Sequence, residues 1–283
     1  MMKNDASYEI LDLMARYEND TEAALKAETS PECLYAFSPL RENLFEWTEI
    51  QGDSRVLQIG SDYGSCTGLL ARRAGETVVL DPRDENLEVN RLRHGTYGNL
   101  RFVRGDILKP EAGYKEYKPG NGTAPLEFPG EGFDLIFMAG TLEQYKKEEA
   151  EAVLKAAAGL LKPEGTLYFA AENAAGGWYW MGAERFDVSF LRAEVLELLE
   201  SLKGTYGGSS LLYYPVPDYR YPAAVYSDAY LPENGEVTNI SARLDGPGLT
   251  FGSEEQAMAM ACRNGVFSSF ANSFLGEYRR GQS

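Results

Sequence analysis

The sequence predicts an α/β protein: a doubly wound, mostly parallel sheet with a helical cap ahead of it and an elaboration behind it. Three observations carry that expectation. From residue 55, short apolar runs alternate with helical patterns, as strands joined by crossover helices do. The first apolar run, Arg55 to Ile59, ends in a glycine turn, Gly60-Ser61-Asp62-Tyr63-Gly64. Before residue 50 the pattern is helical, and after about residue 211 it is dense in tyrosine and proline. The expected division is a helical cap over residues 1–50 and a sheet domain over 51–283, elaborated from about 211.

Each element follows from its own residues. Tyr8, Ile10, Leu11, Leu13, Met14 and Tyr17 recur at helical spacing, and Thr21 to Lys26 continues the pattern after an Asn-Asp break. Ser38-Pro39 opens a short helix with Leu44, Phe45 and Trp47 on its apolar side. RVLQIG reads as the first strand, SDYGSC as a turn and TGLLARRA as a helix. TVVLD, LRFVRGD and FDLIFMAG read as the next three strands, with the helix ENLEVNRLRHG after TVVLD. EEAEAVLKAAAGLL is a helix stopped by Lys162-Pro163-Glu164-Gly165, and TLYFAAEN is a fifth strand. Residues 109–132, rich in glycine and proline without a period, read as a surface insertion loop. SFLRAEVLELLESL is a helix, and prolines keep residues 211–235 from being a long one.

Composition narrows the function classes. The chain has 283 residues, 44% hydrophobic and 25% charged, which is a folded globular mixture. Its 43 acidic against 27 basic side chains give a charge of −16. That balance excludes nucleic acid and anionic lipid as default partners, since both need clustered Lys and Arg. No apolar run approaches the ~20 residues that span a bilayer. MMKNDASYEIL lacks the apolar core of a signal peptide, so the expected location is cytoplasmic. Cys33, Cys66 and Cys262 are odd in number and scattered, as reduced thiols are. No Cys/His spacing suits a metal. Cys66 stands near a helix N-terminus, which lowers a thiol pKa, but no base accompanies it.

Three polar positions at strand ends carry the functional reading. The glycine turn brings backbone N–H groups to the sheet edge. It lacks the dinucleotide spacing G-x-G-x-x-G, because Asp62 stands at the middle glycine position, and this disfavours a dehydrogenase. Asp81 ends the second strand, where a carboxylate can accept both hydroxyls of a ribose or cap the helix after Pro82. Asp106 ends the third strand, where it can accept from an adenine amine. Together the three describe a nucleoside site along the sheet edge.

On these motifs, residues 55–172 resemble class I S-adenosylmethionine-dependent methyltransferases, with a Rossmann-like sheet. VLQIGSDYGSCTGLLA matches the glycine motif, VVLDP the ribose-binding strand end and RGDI the adenine-contacting segment. FDLIFMAGTLEQ resembles the fourth-strand motif and LLKPEGTLYFAAEN the fifth. The resemblance implies S-adenosylmethionine as cofactor, held by Gln58, Gly60, Ser61, Asp62, Gly64, Asp81, Pro82, Asp106, Ile107, Ala139 and Gly140. SPLRENLFEW, AAENAAGGWYW, FANSFL and the tyrosine-proline stretch 213–237 resemble bacterial methyltransferase modules associated with cell-surface glycan assembly. That likeness implies a small-molecule or glycan-precursor acceptor and contact with glycan-assembly enzymes. The chain departs from the pattern at Gln58, where the family has an acid, and at Asp62, where it has glycine. The subgroup's acidic-histidine stretch is missing around Gly182–Asp187.

Methyl transfer is an in-line displacement, so positioning and desolvation supply much of the rate, and a base serves when the acceptor is a hydroxyl. Glu143, Glu172 and Tyr179 are the candidate catalytic groups at the carboxyl edge; each also has a structural reading. The lone histidine, His94, falls on the second crossover helix, as a packing or solvated residue. Trp178, Tyr179 and Trp180 suit either an acceptor ring or core packing. Residues 213–237 suit a cover over the acceptor side, or a structural closure of the sheet end. Two classes of function stay open: an active methyltransferase, and a non-catalytic module of the same fold that serves glycan assembly by binding.

Overall fold

The structure is a computed structural model that describes residues 4–118, 122–126, 132–183, 186–237 and 252–282. In chain order its helices are α1 (Asn4–Arg16), α2 (Thr21–Ala27), α3 (Pro31–Phe37), α4 (Thr67–Arg73), α5 (Asp84–His94), α6 (Ala150–Gly159), α7 (Gly177–Trp180), α8 (Arg192–Tyr206), α9 (Glu254–Arg263) and α10 (Phe267–Phe270). Its strands are β1 (Arg55–Ile59), β2 (Glu76–Asp81), β3 (Leu100–Arg104), β4 (Tyr114–Lys118), β5 (Gly122–Leu126), β6 (Phe133–Met138), β7 (Leu161–Glu172), β8 (Ser209–Val216), β9 (Ala224–Ser227) and β10 (Ser273–Arg279).

These strands form one sheet in the order β5-β4-β3-β2-β1-β6-β7-β10-β8-β9. The five central strands, β3-β2-β1-β6-β7, are parallel, and β10 runs antiparallel between β7 and β8. The expected mostly parallel, doubly wound α/β sheet is therefore present. Strand order reverses between β1 and β6, and an open α/β sheet binds its ligand in the crevice outside the carboxyl ends at such a point.

The central strands are apolar on both faces because helices cover both. Leu57, Ile136, Leu167 and Phe169 point to one side, where Val153 and Leu154 of α6 and Val195, Leu199 and Leu202 of α8 meet them. Val56, Leu135, Phe137 and Ala170 point to the other, against Leu69 and Leu70 of α4 and Leu44 and Phe45 ahead of β1. Helices α1 to α3 form their own cluster around Ile10, Met14, Cys33 and Phe37, joined by Tyr63 from the glycine turn and Val89 from α5.

Two stretches differ from the sequence expectation. Within 109–132, a one-turn helix and the β4-β5 hairpin extend the sheet antiparallel from β3; residues 119–121 and 127–131 lie outside the described residues. Cross-strand backbone pairing holds this hairpin, and such pairing needs no apolar period. Lys162 to Gly165 does not precede the fifth strand but lies within β7, as a register shift against β6 with Glu164 at φ +63°. The tyrosine-proline stretch is β8, β9 and their connection, as its prolines require.

The load on the α8 face is testable. Leu199 is 1% exposed in that core. Leu199→Ala is expected to lower unfolding free energy by about 2–5 kcal/mol, through lost transfer energy and the cavity left behind. A denaturant titration checks it: the midpoint falls while the slope stays that of the wild type.

Candidate active site

The turn after β1 is fixed from beneath. Gly60 and Gly64 take φ of +77° and +81°, a region glycine enters freely. Between them Asp62 and Tyr63 also have positive φ, +42° and +60°, which is costly for a residue with a Cβ and above all for tyrosine. Asp81, fully buried at the end of β2, holds the turn. Its Oδ2 accepts from the Ser61 N–H at 2.8 Å, the Ser61 hydroxyl at 2.9 Å and the Asn86 amide at 2.9 Å. Its Oδ1 accepts from Arg83 N–H at 2.9 Å. His94 packs against Gly64 and Gly68, with Nε2 2.9 Å from the Gly64 carbonyl. Burial drives its pKa down to about 3, helped by Arg93, so the neutral ring donates to that carbonyl and His94 has the expected packing role.

Above the turn lies a buried ion pair. Asp62 Oδ2 accepts from Arg41 Nη2 at 2.5 Å and from the Tyr35 hydroxyl at 2.7 Å. Arg41 is 1% exposed, and its guanidinium stands 4.1 Å over the Tyr35 ring. Burial alone would lower the Arg41 pKa, but Asp62 holds it well above the usual value. Across the crevice, Gly140 follows β6. A Cβ there would stand 3.5 Å from the Tyr219 hydroxyl and 3.8 Å from both Asp62 Oδ2 and the Tyr35 hydroxyl. Gly140 thus faces two phenols and a carboxylate, at ordinary contact distance for an added methyl.

A cavity of about 750 Å³ lies alongside, bordered by Asp106, Glu143, Tyr145, Lys146 and Phe186. That is a size ordinary for small-molecule sites. Asp106 is not free on this wall: it accepts from Leu108 N–H at 3.0 Å and Tyr145 hydroxyl at 2.8 Å, and pairs with Lys109 at 3.0 Å. Burial pushes its carboxyl up, but these donors outweigh it and hold the pKa below the usual range. Glu143 accepts at Oε1 from the Tyr219 hydroxyl, 3.3 Å away, while its buried Oε2 has no hydrogen-bond partner. Burial raises the Glu143 pKa against the opposing pull of Arg220.

Glu172 and Tyr179 stand behind this wall. Glu172, fully buried, is ion-paired with Arg220, and Tyr179 donates to its Oε2 at 3.4 Å. Burial pushes Glu172 up to about 8, Arg220 opposing. Arg220 also meets Asp218 at 3.4 Å and lies 4.4 Å over Phe186 and 4.6 Å over Tyr219. Trp178 is buried and Trp180 is 61% exposed.

The structure thus gathers Asp62, Gly140 and Glu143 at the crevice, with Asp106 on the cavity wall. Gly60 is filled from above, since a Cβ there would stand 2.6 Å from the Thr141 hydroxyl, itself bonded to the Ile59 carbonyl. Gln58 points beneath α4, accepting from Thr67 at 2.6 Å, and Ser61 is spent on Asp81. Ile107 belongs to the core, Ala139 packs beneath the crevice and Pro82 is exposed. Cys66 differs from expectation: burial raises its thiol to about 12, overriding the helix terminus. The sequence reading missed Tyr35, Arg41, Tyr145 and Arg220. Arg41 and Arg220 each stand in an aromatic, proline-bearing segment, and that was their available signal.

The residues fit S-adenosylmethionine at one end, where the cavity at Asp106 and Tyr145 has room for a base. They do not offer Asp81 to a ribose, because four donors of the chain itself already occupy it.

Comparison with known proteins agrees with this fold. Residues 57–167 match the methyltransferase domain family. Phosphoethanolamine N-methyltransferase 1 of Arabidopsis thaliana is 29% identical over 114 residues, 40% of this chain and 20% of that protein. Ribosomal RNA small subunit methyltransferase A of Syntrophus aciditrophicus (strain SB) is 31% identical over 78 residues, 28% of each chain. The chain thus spans about a fifth to a quarter of the length of the first curated relatives it matches. Among solved structures, Haemonchus contortus phosphoethanolamine N-methyltransferase 1, in complex with phosphoethanolamine and S-adenosylhomocysteine, superposes with a TM-score of 0.54 at 12% identity. That match covers all of this chain and 50% of the other. Among the described residues, no helix is long and apolar enough to cross a membrane. Residues 57–167 thus match a methyltransferase domain, and they lie on a mixed α/β, Rossmann-like sheet.

Proposed function

We propose that the chain transfers a methyl group from S-adenosylmethionine to a small amine bound in the cavity beside Glu143. One observation carries the reading. Glu143 lines a ligand-sized cavity, and its Oε2 is buried without a hydrogen-bond partner. An ammonium group suits that oxygen, and the relatives named for phosphoethanolamine N-methylation agree with an amine acceptor. A glycan precursor bearing an amine falls within the same class.

When bound, the cofactor supplies an electrophilic methyl on a sulfonium, whose C–S bonding pair stays on sulfur. The chain's own residues do the rest. Asp106 and Tyr145 border the cavity and would hold the base there. Glu143 takes the proton of the acceptor ammonium, freeing the nitrogen lone pair for attack. Its raised pKa makes it a better proton acceptor near neutral pH than an ordinary carboxylate. Arg220, held by Glu172 and Asp218, keeps Tyr219 in place beneath its guanidinium.

One observation favours the second reading, a non-catalytic module: Asp81 and Asp106 are already occupied by donors of the chain. Calorimetric titration with S-adenosylmethionine separates the two, since the catalytic reading requires saturable binding and methyl transfer to an amine.

Two outcomes follow for variants. Glu143→Gln is expected to lower kcat by about 10²–10⁴-fold, the range for a lost general base, with cofactor affinity changed far less. The wild-type rate should rise with pH as Glu143 ionises, above the usual carboxylate range, and the variant should lose that rise. Asp81→Ala strands the donors of Ser61, Arg83 and Asn86. It is expected to cost at least about 2 kcal/mol of stability and to weaken cofactor binding together with it. A variant that folds as stably as the wild type yet loses binding would instead assign Asp81 to the ribose.

A further inference from the structure

We propose that Tyr219 is the positioning residue for the transfer: its hydroxyl ties one oxygen of Glu143, so that the other takes the acceptor's proton. The inference rests on the methyl-transfer reading above and deepens it. Tyr219 stands in the connection between β8 and β9, buried at 2% exposure. That connection leaves its ring one place to go. The Tyr219 N–H donates to the Ser273 hydroxyl at 2.9 Å, which fastens it to the start of β10. Asp218 Oδ1 accepts from the N–H groups of Arg220 at 2.7 Å and Tyr221 at 3.1 Å, closing the turn around it. The Arg220 guanidinium lies over the rings of both Tyr219 and Phe186, anchored by Glu172 and Asp218.

From that seat the Tyr219 hydroxyl reaches Glu143 Oε1, 3.3 Å away, and among the described residues no other side chain donates to Glu143. Oε2 is the oxygen left for the proton of the acceptor ammonium. A hydrogen bond to a carboxylate favours its charged form, so Tyr219 also offsets part of what burial does to Glu143. The other groups that face Glu143 act with this bond or against it. Arg220, beside Tyr219, favours the carboxylate, and Asp62 of the glycine turn opposes it. Glu172, at the end of β7, and Glu143 repel each other. The cavity wall adds Asp106 with its donors Lys109 and Tyr145, and Lys146, Glu149 and Asp187. All of these remain when the Tyr219 hydroxyl is removed, so a difference between the wild type and Tyr219→Phe belongs to that hydroxyl.

Methyl transfer from S-adenosylmethionine to phosphoethanolamine and to ethanolamine, followed across pH, tests this. In Tyr219→Phe the rise of kcat with pH is expected about one pH unit higher. Below the rise the rate then falls about tenfold, while KM for the amine changes far less. A merely structural tyrosine would instead lower the rate by one factor at every pH. Infrared titration of the cofactor-free chain reads the same change without turnover. The protonated carboxyl band that Glu143→Gln removes should persist to higher pH in Tyr219→Phe. Where Tyr219→Phe is too unstable to assay, Tyr219→3-fluorotyrosine, which makes the phenol a stronger donor, should move both the rise and the band to lower pH. An unmoved rise or an unmoved band overturns the inference and leaves the methyl-transfer reading standing. A wild type that methylates neither amine overturns that reading, and this inference with it.

Discussion

The site hangs on one fully buried carboxylate. Asp81 closes β2 and gathers four donors, two of them from Ser61, so the chain leaving β1 has only one course open to it. A hydrogen bond to a charged group contributes ~1.5–3 kcal/mol, and several on one carboxylate outweigh the ~1–3 kcal/mol that each left-handed residue costs. Asp62 and Tyr63 are thereby held at positive φ, with their side chains directed apart. Tyr63 descends into the cluster of α1, α3 and α5, and Asp62 turns to Arg41 and Tyr35. The helices ahead of the sheet are therefore tied to the crevice by the conformation of one turn.

Buried charge organises the opposite wall in the same manner. Arg41 and Arg220 are 1% and 4% exposed, and each lies over an aromatic ring as well as against a carboxylate. Such pairs add little net stability, but breaking one costs ~3–5 kcal/mol, so they fix geometry more than they strengthen the fold. The geometry they fix is that of Tyr35 and Tyr219, the two phenols that face Gly140. Glu143 is only half satisfied: one of its oxygens accepts from Tyr219 and the other is buried without a partner. An unsatisfied buried acceptor is a liability for folding and an asset for binding.

What was legible in the sequence followed period and punctuation. The parallel strands announced themselves as apolar runs, and the glycines of Gly60 and Gly64 marked the turn. The β4-β5 hairpin was not legible, because backbone pairing leaves no side-chain period. The positions of Asp81 and Asp106 at strand ends were readable, but their occupancy was not. A sequence shows that a carboxylate stands at an edge; it does not show that Asn86 or Tyr145 has already reached it. Arg41 pairs with a residue 21 positions away, a separation no helical or strand repeat reports. The tyrosine-proline stretch divides between its two readings. Tyr214 is core and Tyr213 packs on Trp47, whereas Tyr219 borders the crevice.

The aspartate in the glycine turn shows how these constraints combine. Glycine at position 62 would adopt φ +42° at no steric cost, and it would leave Arg41 buried without a counter-charge. An aspartate is among the non-glycine residues that tolerate this region best, since it enters the left-handed well several-fold more often than most. It therefore settles two demands with one side chain, the conformation set by Asp81 from below and the charge of Arg41 from above. The same side chain's Oδ2, held by Arg41 and Tyr35, faces Gly140 at the switch point of the sheet, where the fold directs a ligand. A substitution that reads in the sequence as damage to a glycine motif is, in the folded chain, the join between the helical cap, the turn and the crevice.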